Sequence, residues 1–338
     1  MYMKKNVLYI GNALSNNGKT VTTIETLALQ LRDFCSVKIA SRKFNKVLRL
    51  IDMVNTVISN RKWAEVVLID TYSTTNYYYA LLISQICRIL KIKYIPILHG
   101  GNLEQRLIKN PYLSKLIFGN AYKLVAPSNF LKSVFKTFGY EDVLHIPNAI
   151  EIQNYQFESR AIDDIKLLWV RSFSSIYNPE LAILVLESLL KKGHQAELTM
   201  VGPEVDGAMQ KTKTLAESKN LNVDFTGKLS KKEWVELSRT SNIFINTTNF
   251  DNMPVSVIEA MALGLPIVST NVGGIPFLLT NNIEGLLVAP NDADTLVEAI
   301  LKIKKDNNLK DTMITNARKK VEQFDWEIVK SKWQSLLS

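Results

Sequence analysis

The chain has 338 residues, 46% of them hydrophobic, with a mean hydropathy of +0.01; at roughly 150 residues per domain this suggests two domains and excludes wholesale disorder. No stretch reaches the roughly 18–20 uninterrupted apolar residues of a spanning helix, and two cysteines, Cys35 and Cys87, argue against a disulfide scaffold and fit a reducing cytosol. The net charge of +9 is uneven: residues 1–150 carry 20 Lys/Arg against 8 Asp/Glu, net +12, and residues 151–338 carry 21 against 24, net −3, so the first half suits something anionic, whether nucleic acid, acidic membrane or acidic glycan.

The apolar run in MYMKKNVLYIGNAL is too short for a signal peptide and reads as a first strand, Lys4–Gly11, leading into the helical pattern KTVTTIETLALQLRDF. Val37–Ala40, Glu65–Asp70, Tyr94–Leu98 and Lys123–Ser128 are further near-continuous apolar runs, as expected of parallel strands covered on both faces. Ser41–Ile58 reads as a basic amphipathic helix, with Arg42, Lys46 and Arg49 on one face and Val47, Leu50, Ile51 and Val54 on another. It fits equally an anionic lipid surface or an ordinary helix packed on a sheet. His145–Ile150 closes an α/β domain over 1–150, and the polar stretch 151–164 reads as a linker.

The pattern then restarts. Strands are expected over Lys166–Arg171, Ala196–Gly202, Asn222–Gly227, Asn242–Thr247, Pro266–Thr270 and Gly285–Pro290, with helices from Pro179 and Pro254. They make a second α/β domain, 165–312, followed by a last helical segment, 313–338. The expected architecture is two doubly wound Rossmann-like domains facing across a cleft at the carboxyl ends of their strands, where such folds bind ligands.

Two segments carry chemistry. Ala13–Thr20 follows a strand, opens a helix and ends in Gly18-Lys19-Thr20, close to a phosphate-binding P-loop, with Asp70 ending a strand that could serve a magnesium site. A P-loop NTPase, a ligand-free turn and a glycine-containing loop facing a phosphorylated ligand all stay open for it. The second segment, NFDNMPVSVIEAMALGLPIVSTNVGG, places Asp251 in a loop, Pro254 where a helix begins and Glu259 inside that helix. The N–H groups of Val255 and Ser256 suit a diphosphate, while Asp251 and Glu259 suit sugar and ribose hydroxyls.

Asp251-x7-Glu259, followed by EAMALGLPIVST and Gly273–Gly274, resembles the Glu-x7-Glu signature of the retaining, family-4-type glycosyltransferases of the GT-B fold, and the resemblance covers nearly the entire chain. It implies a nucleotide-diphosphate sugar donor, UDP- or GDP-linked, a glycan or lipid-linked glycan acceptor, and net retention in cell-surface polysaccharide biosynthesis. No cofactor, bound metal or nucleic-acid partner is expected. The place of action would be cytoplasmic, peripheral on the inner face of the membrane, with the basic first domain toward anionic lipid. Gly11 and Gly18 match the family's N-terminal glycine-containing loop, and LHGGN matches the segment whose His, here His99, lies near the transferred sugar. Arg171 would pair with the diphosphate. The second cation the family places a few residues on is replaced by Ile176-Tyr177-Asn178, with Lys228 as a substitute. Lys228 and Leu229 fall in the nucleobase-side loop, and Asn252 and Met253 join Val255, Ser256 and Glu259 on the donor. The resemblance also implies that the last helix crosses back to the first domain. A non-catalytic binding protein on a degenerate scaffold is the remaining alternative, given the missing lysine. His145 and His194 have no ligand-like neighbours, so no metal site is indicated.

Overall fold

The computed structural model describes residues 4–15 and 21–338. Gly18-Lys19-Thr20, and with it the ligand role expected of Gly18, lies outside the described residues. The chain divides into two units, one made of Met1–Asn148 with Trp326–Ser338 and one of Ala149–Asp325.

Unit 1 is a six-stranded, all-parallel sheet of β1 (Lys5–Ile10), β2 (Cys35–Ala40), β3 (Val66–Thr71), β4 (Lys93–Leu98), β5 (Leu124–Ala126) and β6 (Val143–His145), in the order β2-β1-β3-β4-β5-β6. β3 is buried along its whole length, as the unbroken VVLIDT run requires of a strand with helices on both faces. β6 is a strand that the sequence reading passed over: polar Glu141-Asp142 precedes it, leaving three residues that signal little by themselves. The strand order reverses between β1 and β3, which makes their carboxyl ends the switch point of this sheet.

Unit 2 repeats the plan with β7 (Ile165–Val170), β8 (Ala196–Val201), β9 (Asp224–Gly227), β10 (Ile243–Asn246), β11 (Ile267–Thr270) and β12 (Leu286–Val288), in the order β12-β11-β10-β7-β8-β9. Side chains of β7 alternate between two cores: Leu167 and Trp169 pack with Leu186 and Ile300, and Leu168 packs with Val257, Ile258 and Met261. The switch point lies between β7 and β10. The expected α/β class with two Rossmann-like sheets holds.

Three expectations change. Residues 151–164 are not a free linker, because Tyr155 and Ile162 are buried in unit 2. The segment 313–338 does not behave as one piece. The helix Asn307–Glu322 contributes Met313, Ala317 and Val321 to the unit 2 cores, and only Trp326 onward belongs to unit 1. The helix read over Ser41–Ile58 runs Lys46–Ser59, capped by the Asn45 side chain on the Val47 and Leu48 amides. Its basic face is broken, since Arg49 is buried and donates to the Lys43 and Phe44 carbonyls. Among its large apolar side chains, Phe44, Val47, Leu48, Ile51 and Ile58 are exposed.

Candidate functional site

At the switch point of unit 2, β10 runs into the loop 247–254, whose shape is fixed from both sides. The Thr247 hydroxyl donates to the Tyr177 carbonyl (2.9 Å) and the Asn249 amide to the Ile176 carbonyl (2.8 Å), tying the loop to the turn after β7. On the other side the Gly274 amide donates to the Asp251 carbonyl (2.9 Å). A Cβ on Gly274 would stand 1.8 Å from the Asn252 carbonyl oxygen, and one on Gly273 2.3 Å from that of Asp251. Two glycines are therefore what lets this turn lie flat against the loop. That is the physical content of the GG that ends the motif.

Pro254 caps the helix Val255–Ala262, its carbonyl accepting from Val257 and Ile258. The Val255 and Ser256 amides precede the first intrahelical bond. The Ser256 hydroxyl is buried without a hydrogen-bond partner. An unsatisfied hydroxyl beside the positive end of a helix is an anion-binding arrangement. One turn on, Glu259 is 4% exposed, and its Oε1 accepts from the Tyr155 hydroxyl (2.7 Å) and from the Lys231 ammonium (2.8 Å). Burial first, and then the Glu259 charge, push the Tyr155 hydroxyl far above its ordinary range, so it stays a donor.

Arg171 follows β7, with its backbone amide on the Val201 carbonyl (3.0 Å). Its guanidinium makes an ion pair with the Asp251 carboxylate and lies 4.1 Å from the centre of the Tyr177 ring. Its Nε is buried without a partner. Arg171 and Asp251, expected on phosphate and on sugar, thus hold one another, and the Tyr177 ring packs on the cation in the stretch where the resemblance expects a lysine. Lys228 is exposed just after β9, and Leu229 is partly buried against the core that contains Val257 and Met261. Asn252 and Met253 are buried in the same loop.

Lys231 and Tyr155 were missed. Tyr155 is 104 residues from Glu259 in the chain, and nothing local marks it. Lys231 had a usable signal: Ser230-x-x-Glu233 is a capping box that makes Lys231 the first residue of its helix.

In unit 1, His99 follows β4 with its amide on the Thr71 carbonyl (3.0 Å), and Gly11 follows β1. Asp70, read as ending a strand that could serve a magnesium site, is fully buried and bonded to His99. Of the three neighbouring tyrosines, Tyr77 and Tyr79 are core and Tyr78 is exposed. Among the described residues no group of three or more His, Cys, Asp or Glu side chains stands together to hold a metal ion, and no helix is long and apolar enough to cross a membrane.

The family model described as Glycosyl transferases group 1 matches residues 152–320, half of the chain. The capsular polysaccharide biosynthesis glycosyltransferase CapM of Staphylococcus aureus is 28% identical over 155 residues, which is 44% of this chain and 40% of that protein. The match thus spans under half the length of that relative. The structure of a sucrose-phosphate synthase from Thermosynechococcus elongatus superposes with a TM-score of 0.80 over 98% of both chains at 16% identity. Anabaena HepE, solved in complex with UDP and glucose, gives 0.75 over 98% of this chain and 99% of that one, also at 16%. Likeness at that identity carries the fold, which is GT-B. The family match lies over the strand, loop and helix that hold Asp251, Ser256 and Glu259, and the chain belongs to the glycosyl transferases of group 1.

Proposed function

We propose that the protein is a retaining glycosyltransferase that moves a sugar from a UDP- or GDP-linked donor to a hydroxyl of a glycan or lipid-linked glycan, in cell-surface polysaccharide biosynthesis. The observation that carries this reading is the Val255–Ala262 helix start. The buried, unpartnered Ser256 hydroxyl and the open Val255 and Ser256 amides suit a diphosphate, with the Glu259 carboxylate one turn further in for a ribose. Arg171, tied to Asp251, adds the cation that answers the charge growing on the leaving diphosphate. The acceptor hydroxyl attacks from the face the diphosphate leaves, and its proton passes to that leaving group. His99 and Asp251 attend the transferred sugar. The protein's part is positioning and charge stabilisation, with no metal taking part. CapM, named for capsular polysaccharide biosynthesis, and HepE, solved with UDP and glucose, support the donor class and the pathway class. The reading includes action at the cytoplasmic face of a membrane, with unit 1 toward the lipid.

The test is a binding panel of UDP-, GDP- and ADP-sugars followed by NMR of the purified protein. At least one UDP- or GDP-sugar binds, and Ser256→Ala and Arg171→Ala each weaken it about tenfold, the scale of a lost hydrogen bond to a charged group. Transfer then gives a product of unchanged anomeric configuration and survives EDTA. Binding without any sugar release or transfer would favour the non-catalytic alternative, and no binding at all sinks the assignment.

A further inference from the structure

At the switch point of unit 1, where β1, β3 and β4 end, a carboxylate is enclosed by aromatic side chains. Asp70 is 0% exposed. Its Oδ1 accepts from the Tyr9 hydroxyl at 2.8 Å and is 2.7 Å from His99 Nε2, while its Oδ2 is buried without a partner. The Tyr79 hydroxyl donates to the Asp70 carbonyl at 2.6 Å, and the Tyr72 ring stacks on His99 at 5.3 Å and 29°. The His99 side chain is itself only 7% exposed. Burial first, and then the Asp70 charge, push the Tyr9 and Tyr72 hydroxyls well above their ordinary range; Tyr79 follows the same order, with Arg49 working weakly the other way. These phenols therefore remain neutral.

A buried carboxylate held by few donors weakens a fold relative to an apolar side chain of the same size. Packing alone does not account for Asp70. Gly11 fits the same picture, because a Cβ there would stand 2.5 Å from Asp70 Oδ2. The glycine that resemblance assigns to a donor loop is required by this carboxylate first.

We propose that Asp70 is a positioning residue for His99. It accepts the hydrogen bond from Nε2–H, fixes the ring in one tautomer and one plane against Tyr72, and so leaves Nδ1 as the ring's hydrogen-bond acceptor for a substrate hydroxyl. This rests on the reading that His99 attends the transferred sugar.

The test uses the full chain. Nitrogen-15 NMR of the histidine rings reads the tautomer directly, and His99→Gln assigns the signal among three histidines. In the wild type the proton sits on Nε2. Asp70→Asn removes the carboxylate that accepts from the ring, and the His99 ring-nitrogen signals move away from those of a pure Nε2–H tautomer. In transfer assays kcat falls about 10- to 100-fold, the scale of an ångström-level misplacement, while the donor KM changes less than kcat, because the groups read onto the diphosphate and ribose of the donor are on unit 2. Gly11→Ala, which displaces the carboxylate without removing it, moves the His99 signal in the same direction should Asp70→Asn fail to fold. A wild-type proton on Nδ1, or an unmoved kcat in Asp70→Asn, overturns the proposal. The NMR arm needs no donor, so a protein that binds no nucleotide sugar sinks the transferase reading separately.

Discussion

At Glu259 a phenol and an ammonium converge on one carboxylate oxygen, and only the ammonium carries charge toward a ligand. Lys231 is half-exposed, so its attraction to a bound diphosphate is discounted by solvent screening. Lys231→Met is expected to weaken UDP- or GDP-sugar binding about fivefold, equivalent to about 1 kcal/mol. Calorimetry of the variant against the wild type checks this; unchanged affinity would leave Lys231 as a partner of Glu259 alone. The same residues show what a sequence can and cannot carry. Asp251, Ser256 and Glu259 were legible because they fall within nine consecutive residues of one loop and helix, where spacing alone fixes which groups meet. Tyr155 reaches Glu259 only after 104 residues of chain have folded. Asp70 shows the same limit. It ends an apolar strand and begins a polar run, and the sequence alone does not say that Tyr9 and His99 close over it.

At the scale of elements, strands with long apolar runs were legible and ends were not. The helix Trp326–Leu337 was expected in the first domain, yet its start was placed thirteen residues early because the helix Asn307–Glu322 continues the same periodicity. What holds the last helix is a buried row, Trp326, Val329, Trp333 and Leu337, together with a polar clasp at its start. Lys330 donates to Asp33 at 3.0 Å and the Trp326 indole at 3.4 Å. The hydrogen bond from Lys330, and then that from Trp326, hold the Asp33 carboxyl below its ordinary 3.8. A carboxyl depressed in the folded state contributes stability above its unfolded value, and that contribution disappears as pH falls through the lowered one. Lys330, raised by its bond to Asp33, adds stability below 10.5 that is lost at higher pH. The clasp is therefore complete between these limits. Asp33→Asn is expected to lower the unit 1 melting temperature slightly at neutral pH and to match the wild type in acid below the Asp33 value. Melting curves across that range decide it, and a difference that persists in acid refutes the clasp.

For the whole molecule, the positive charge and the larger share of the exposed apolar side chains fall on the same half. Residues 1–150 hold the entire positive excess, while the proposed diphosphate site is on unit 2, so on that proposal the donor does not account for the excess. Beside the exposed cations Arg42, Lys43 and Lys46 stand Phe44 at 62% and Val47 at 66% exposure, with Leu48, Ile51 and Ile58 also exposed. A polar partner would leave these side chains in water, and a neutral apolar one would leave the cations unanswered. An anionic lipid surface takes both, each Lys or Arg near it contributing about 1 kcal/mol and each buried CH₂ about 0.8 kcal/mol. The protein is expected to sediment with vesicles of phosphatidylglycerol at least about tenfold more strongly than with phosphatidylcholine vesicles, and less so as salt rises. Val47→Asp with Ile51→Asp is expected to abolish most of that binding. Both positions are solvent-exposed, so the melting temperature should stay near the wild-type value. Equal partitioning onto neutral and anionic vesicles would remove the electrostatic part of this reading. Binding untouched by the double substitution would move the contact off this helix altogether.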